Sequence, residues 1–298
     1  MKGILMITSN STIRDIKNMK EFAGFGNLLF PMPDRHRDPL TLDQMERLLP
    51  YHSHIHTKTT IEVLETLKEE VGQGKKIFYP IYTEEEMRQD PEKRNTGLFF
   101  FRGKVDEPFA IVNAGGGFQY VGAIHESFPH CMEIARRGYN AFALIYRPNA
   151  YEACEDLARA IAFIFDHHEQ LQVSTMCYSL WGGSAGARMA AWLGSYGTKE
   201  FGEKPYPKAG TIVMQYTGLS EWTRNDPPTF VIVGDHDYIA DWRIMKRRID
   251  HLKQAGIDTS FRVVSGLEHG FGIGMGTKAQ GWIDEAIDFW QEQMKKEK

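Results

Sequence analysis

Cys177-Tyr178-Ser179-Leu180-Trp181-Gly182-Gly183-Ser184-Ala185-Gly186-Ala187 is the stretch on which the reading of the whole chain turns. An apolar run over 175–181 predicts a strand, and the small and apolar residues of 187–193 predict a helix. Gly182-x-Ser184-x-Gly186 stands between them. A turn that leads a strand straight into a helix brings backbone against backbone, and glycine on either side of the serine removes the clash. The same turn lifts the serine hydroxyl above the sheet edge. It also places that hydroxyl at a helix N-terminus, where free amides and the dipole favour negative charge. The pentapeptide alone also fits a tight packing turn; the strand before it and the helix after it favour a catalytic serine.

Outward from this turn the chain alternates short apolar runs with helical periods. Residues 97–102 and 108–113, rich in Phe, Ile and Val, predict strands. Residues 126–137 have helical spacing and end at Gly138, and the near-continuous apolar run 140–146 marks a strand buried on both faces. Leu157, Ile161, Ile164 and Phe165 recur at helical intervals. Further strands are predicted at 211–216, 229–233 and 260–264, with helices at 241–254 and 281–295. Such alternation requires crossover connections, hence an α/β class with a mostly parallel central sheet and helices on both faces. This catalytic domain is expected to span 76–298.

Residues 1–75 differ in kind and predict an N-terminal helical extension. Thr41-Leu-Asp-Gln44 and Thr59-Thr-Ile-Glu62 both match the capping box, in which a hydroxyl and a Glu or Gln satisfy orphan amides at a helix start. The second helix carries Ile61, Leu64, Leu67 and Val71 and stops at Gly72 or Gly74; a Pro-rich loop, Phe30-Pro31-Met32-Pro33, precedes both. The segment is expected to fold over the edge that carries Ser184 as a cap, with Phe22, Phe25, Leu28, Leu29 and Phe30 lining a pocket beneath it. Packing on the far face of the sheet, or a homodimer contact, is the competing use of those residues.

Composition narrows the function classes. The chain has 298 residues, 42% hydrophobic and 25% charged, which suits one or two globular domains and excludes a disordered or fibrous chain. Its 35 basic and 39 acidic residues give a net charge of −4, against a general nucleic-acid binder. No apolar run approaches the ~20 residues of a membrane span, so no membrane partner is expected. The start of the chain lacks a small-residue cleavage site. Cys131, Cys154 and Cys177 are too few for a disulfide framework and read as small buried hydrophobes. A cytoplasmic location is the resulting expectation.

Three further stretches carry chemistry. Ala114-Gly115-Gly116-Gly117-Phe118 follows the 108–113 strand, and consecutive glycines let backbone amides point at a developing oxyanion. A flexible turn or a phosphate loop would look similar, but the dinucleotide pattern fails because Tyr120 stands at its sixth position. Gly234-Asp235-His236-Asp237-Tyr238-Ile239-Ala240-Asp241 places carboxylates at the carboxyl end of a buried strand; Asp235 and Asp241 suit caps of the following turn and helix. His269-Gly270-Phe271-Gly272 then offers an imidazole on a glycine-rich loop. Tyr51-His52-Ser53-His54-Ile55-His56 alternates histidines that could hold a metal, yet no Asp, Cys or further His cluster is placed beside it. His167-His168 reads as cationic side chains at a helix end, Phe99-Phe100-Phe101 and the tryptophans as core, and 295–298 as a solvated tail.

A glycine loop, a serine turn, an acid and a histidine in this order resemble the α/β-hydrolase fold. The chain is most similar to the small carboxylesterases grouped with acetylxylan esterases and the hormone-sensitive-lipase branch, over about residues 98–295. The resemblance implies Ser184 as nucleophile and His269, in a His-Gly-Phe loop, as base. It favours Asp237 over Asp235 as the acid, because Asp237 lies three residues beyond Gly234 and before an apolar pair. It implies the amides of Gly116, Gly117 and Ala185 as the oxyanion hole, although Ala114 stands where many relatives have His or Pro. The activity implied is cleavage of small carboxylic esters with short acyl groups, acetyl on sugars among them, through an acyl-enzyme. No metal or organic cofactor is implied, and a small-molecule ester is the expected partner. A peptidase or acyltransferase with the same residues, and a ligand-binding protein on a hydrolase scaffold, are the alternatives.

Overall fold

The computed structural model of the chain describes residues 6–32 and 37–296. Pro33 of the Pro-rich loop, the first five residues of the chain and the last two of the lysine tail lie outside the described residues. Among those described, eight strands form one sheet: β1 (Phe78–Tyr79), β2 (Gly97–Phe101), β3 (Pro108–Asn113), β4 (Asn140–Ile145), β5 (Ser174–Gly183), β6 (Thr211–Gln215), β7 (Thr229–Gly234) and β8 (Thr259–Val264). They lie in the order β1-β2-β4-β3-β5-β6-β7-β8. β1 pairs with β2 and β2 with β4 in antiparallel fashion; every other pairing is parallel. β4, β6 and β7 are buried along their whole length, which is why they read as unbroken apolar runs rather than alternating ones.

Helices cover both faces: α1 (Ile13–Lys17), α2 (Thr57–Gly72), α3 (Glu84–Gln89), α4 (Ala123–Glu126), α5 (Phe128–Arg136), α6 (Ala150–Asp166), α7 (His168–Leu171), α8 (Ala185–Tyr196), α9 (Trp242–Gln254) and α10 (Trp282–Lys296). The alternation of side chains along β2 shows the two layers. Phe99 and Phe101 meet Phe128 of α5 at ring distances of 4.9 and 5.9 Å. Phe100 between them stacks on Phe142 at 4.3 Å, and Phe142 leads through Phe109 to Phe165 of α6. The chain leaves β3 toward β4 on one side and returns to β5 on the other. The carboxyl ends of β3 and β5 therefore flank the crevice where strand order reverses, the place where such sheets take their ligands.

Several elements differ from expectation. The helix expected over 126–137 is two, α4 and α5, broken at Ser127 because Pro129 fits only the first turn of a helix. The capping box at Thr41 and Gln44 is present, but it opens a 3₁₀ segment, Leu42–Arg47, rather than an α-helix. The Thr59–Glu62 box is not used: α2 starts earlier, with His56 as its N-cap, and the Thr59 hydroxyl bonds His56 Nδ1 at 2.8 Å. β1, α1 and α3 are absent from the sequence reading because each is too short to show a period. The N-terminal apolar residues do not lie open to a ligand. Phe22, Leu28, Leu29 and Phe30 are buried in the core shared with the sheet, and Phe25 stacks on Phe78 at 5.3 Å.

Candidate active site

β5 delivers Ser184 to the carboxyl edge in a conformation few side chains adopt, φ 51° and ψ −115°. Its amide donates to the Gln215 carbonyl at 3.0 Å, which ties the turn to β6. Glycine is required on both sides of it. A Cβ at Gly182 would lie 2.2 Å from the Gly186 backbone, and one at Gly186 would lie 1.9 Å from the Asn113 carbonyl oxygen.

Ser184, His269 and Asp237 come together from the ends of three strands. His269 Nε2 lies 3.0 Å from Ser184 Oγ, and His269 Nδ1 lies 2.7 Å from Asp237 Oδ2. A proton donated from Nδ1 to the carboxylate leaves Nε2 as the acceptor facing the serine hydroxyl. Asp237 is itself fixed: its Oδ1 accepts the amides of Ile239 and Ala240 at 2.9 and 2.8 Å. Asp237 and His269 are both buried. Asp235 does not join them. Its carboxylate is exposed and accepts the Gly266 amide at 2.6 Å, a bond that holds its pKa below the ordinary range, so it ties the loop after β8 rather than capping its own turn. Asp241 does cap, accepting the Arg243 amide at the start of α9.

The glycine loop packs against the serine. A Cβ on Gly115 would lie 2.8 Å from Ser184 Cβ. Gly116 and Gly117 have φ of 141° and 62°, and among the described residues their amides donate to no backbone or side-chain acceptor. Ala185 is the first residue of α8, so its amide has no partner one turn back within the helix. Gly116, Gly117 and Ala185 are the residues whose amides the sequence leads one to expect around an oxyanion.

No protein-family model matches the chain, and no characterised protein matches it in sequence. Solved structures do match in shape. Esterase 2 of Thermogutta terrifontis, described with propionate bound, superposes with a TM-score of 0.58 at 20% identity, over 66% of this chain and 89% of that one. MGS-M1, an α/β hydrolase from a deep-sea metagenome library of the Medee basin, gives 0.58 at 19% identity, over 67% and 93%. This is an α/β-hydrolase fold.

Around the carboxyl edge of the sheet lie residues that the sequence alone does not assign. The segment from Tyr51 to Ser53 runs across the loop that carries His269. Ser53 Oγ donates to the His269 carbonyl at 2.7 Å, and the Ser53 amide donates to the Gly270 carbonyl at 3.0 Å. The three histidines grouped in the sequence point to different surroundings. The His52 ring is buried, with Nε2 3.1 Å from Glu126 Oε2 and Nδ1 2.9 Å from the Tyr120 hydroxyl. His54 is exposed, and His56 bonds Thr59. Among the described residues no group of three or more His, Cys, Asp or Glu is placed to hold a metal.

Glu126 is the least expected of these residues. Burial pushes its carboxyl up, but the His52 ring, the Tyr216 hydroxyl and the Gly115 amide pull it further down, to about 2. His125, beside it in sequence, is held neutral: burial, with His52 adding to it, lowers its pKa to about 3, and its Nε2 lies 2.9 Å from the Gly270 carbonyl. No sequence pattern marks Glu126, since a glutamate within a helical period reads as a solvated face.

Proposed function

We propose that the chain is a serine hydrolase that cleaves small carboxylic esters through an acyl-enzyme. One observation carries the reading: the continuous hydrogen-bonded chain Ser184–His269–Asp237, with the glycine loop packed against the serine through Gly115. In the first half-reaction His269 Nε2 takes the Ser184 proton as Oγ bonds to the ester carbonyl carbon. The carbonyl π pair moves onto oxygen, and the amides of Gly116, Gly117 and Ala185 hold that negative charge. The imidazolium formed is steadied by Asp237, which stays ionised. His269 then returns the proton to the departing alkoxide, leaving Ser184 acylated. A water repeats the sequence and releases the carboxylic acid.

Short acyl groups are the proposed substrates. What supports them is the likeness in fold to Thermogutta esterase 2, described in propionate-bound and butyrate-bound forms. Further support is that the same esterase is described as phosphonylated by cyclosarin, the kind of agent that captures an activated serine. The test is a panel of p-nitrophenyl acetate, butyrate and octanoate, acetylated sugars and a peptide, run on the wild type and Ser184→Ala. Acetate and butyrate should be turned over fastest, and Ser184→Ala should lose at least about 10³-fold in kcat while keeping its circular dichroism. Equal turnover by Ser184→Ala would overturn the reading. Turnover of the peptide alone would move the chain to the peptidases.

A further inference from the structure

We propose that Glu126 is a positioning residue for ester cleavage, a single buried carboxylate that sets the spacing between the glycine loop and the loop that carries His269. The inference rests on the serine-hydrolase reading and deepens it.

The carboxylate lies directly behind the reacting groups. A Cβ on Gly183, the residue before Ser184, would come within 2.5 Å of it, and one on Gly115 would come within 2.7 Å of its Oε2. Each of its oxygens serves a different loop. Oε2 accepts the Gly115 amide, at the base of the glycine loop. Oε1 accepts the Tyr216 hydroxyl, and that same hydroxyl oxygen accepts the Gly272 amide at 3.1 Å, three residues beyond His269. Tyr216 is aimed at this task from a strained backbone, φ 28°, at the end of β6, and its ring lies 4.8 Å from the His269 ring. His52 supplies the third contact from the N-terminal segment.

A carboxylate taken fully out of water persists only where donors take the place of that water, and here three donors from three parts of the chain do so. Removing the charge therefore loosens both loops together. The nucleophile–imidazole contact and the oxyanion donors are held by different elements, so their relative placement depends on this one group. Misplacement of about 1 Å costs about 10²-fold in rate.

The test separates positioning from folding by counting active sites. Wild type, Glu126→Gln, Tyr216→Phe and the double variant are titrated with paraoxon, whose p-nitrophenolate burst gives the number of competent serines. Turnover of p-nitrophenyl acetate is then expressed per titrated site. Glu126→Gln should lose about 10- to 100-fold in kcat per titrated site with KM changed less than about threefold. Tyr216→Phe should lose less, and the double variant no more than Glu126→Gln alone, because both changes cut the same link. A kcat per titrated site within about twofold of wild type in Glu126→Gln overturns the proposal, whatever its melting temperature. If Glu126→Gln does not fold, the same result in Tyr216→Phe overturns it. A wild-type protein that gives neither burst nor turnover overturns the serine-hydrolase reading instead.

Discussion

Asp235 and Asp237 stand two residues apart at the end of β7, yet their surroundings divide the work between them. Asp237 faces His269 and takes two backbone amides on its other oxygen, whereas Asp235 faces solvent and holds one amide of the neighbouring loop. Asp237→Asn should lower kcat by about 10⁴-fold, the order seen when the orienting carboxylate of a serine protease is replaced and the imidazole is left in the wrong tautomer. Asp235→Asn keeps an oxygen that can accept the Gly266 amide, so its kcat should stay within about threefold of wild type. Steady-state kinetics on both purified variants decide this, and the reverse ranking would transfer the role to Asp235. The residues that meet at Ser184 are legible in the sequence because each stands in a local pattern: a glycine-flanked turn, a strand end, a glycine-rich loop. Glu126 and His52 are not. Their meaning lies in a contact across 74 positions of sequence; no motif surrounds Glu126, and the alternating histidines around His52 suggest a metal rather than a carboxylate partner.

At the scale of elements, strands are read more surely than the N-terminal third. β3 begins and ends where its apolar run does, and β4 and β7 differ from theirs by a residue, because full burial demands an unbroken run. The N-terminal segment lacks such a demand. Ahead of α2 its chain is stitched into the core by single side chains on short 3₁₀ turns, which leave no period to read. Removal of residues 1–75 would strip Phe22, Leu29, Leu64 and Leu67 from the core, so the segment's part at the catalytic edge is tested by point substitution. Gly270 is the position for it. It has φ 75°, and a Cβ there would lie 2.4 Å from the Tyr51 carbonyl oxygen and 2.6 Å from His52 Cα. Gly270→Ala should cost about 2–4 kcal/mol of stability, from left-handed strain and overpacking together. It should also reduce kcat at least about tenfold, since the displaced loop carries His269. Thermal melts and kinetics at wild-type values would show that residues 51–53 do not brace that loop.

The molecule as a whole buries more imidazole than its catalytic reading uses, and this sets how it responds to acid. Burial, with His52 adding, lowers His125 to about 3, and burial lowers His130 to about 4 despite the bond its Nε2 donates to Gln215 Oε1. Both start from 6.5 in an unfolded chain, so below that pH the unfolded state binds protons that the folded state refuses. Folded stability therefore falls with pH. The contribution is complete above about pH 6.5 and drains away toward pH 3–4, at up to about 1.4 kcal/mol per pH unit for each histidine. Glu126, held at about 2 against 4.5, adds its own loss only below about pH 4.5. Between pH 7 and pH 5 the two histidines together should cost about 4 kcal/mol. The melting temperature should fall steeply over that interval, well before the carboxylates titrate. His130→Gln removes one of the two titrations, and its melting temperature should depend on pH about half as strongly. Scanning calorimetry of both proteins at pH 7.5, 6 and 5 measures this directly. A wild-type melting temperature that is level from pH 7.5 to 5 would mean that His125 and His130 take up protons in place, with water reaching the space between α4, α5 and β6.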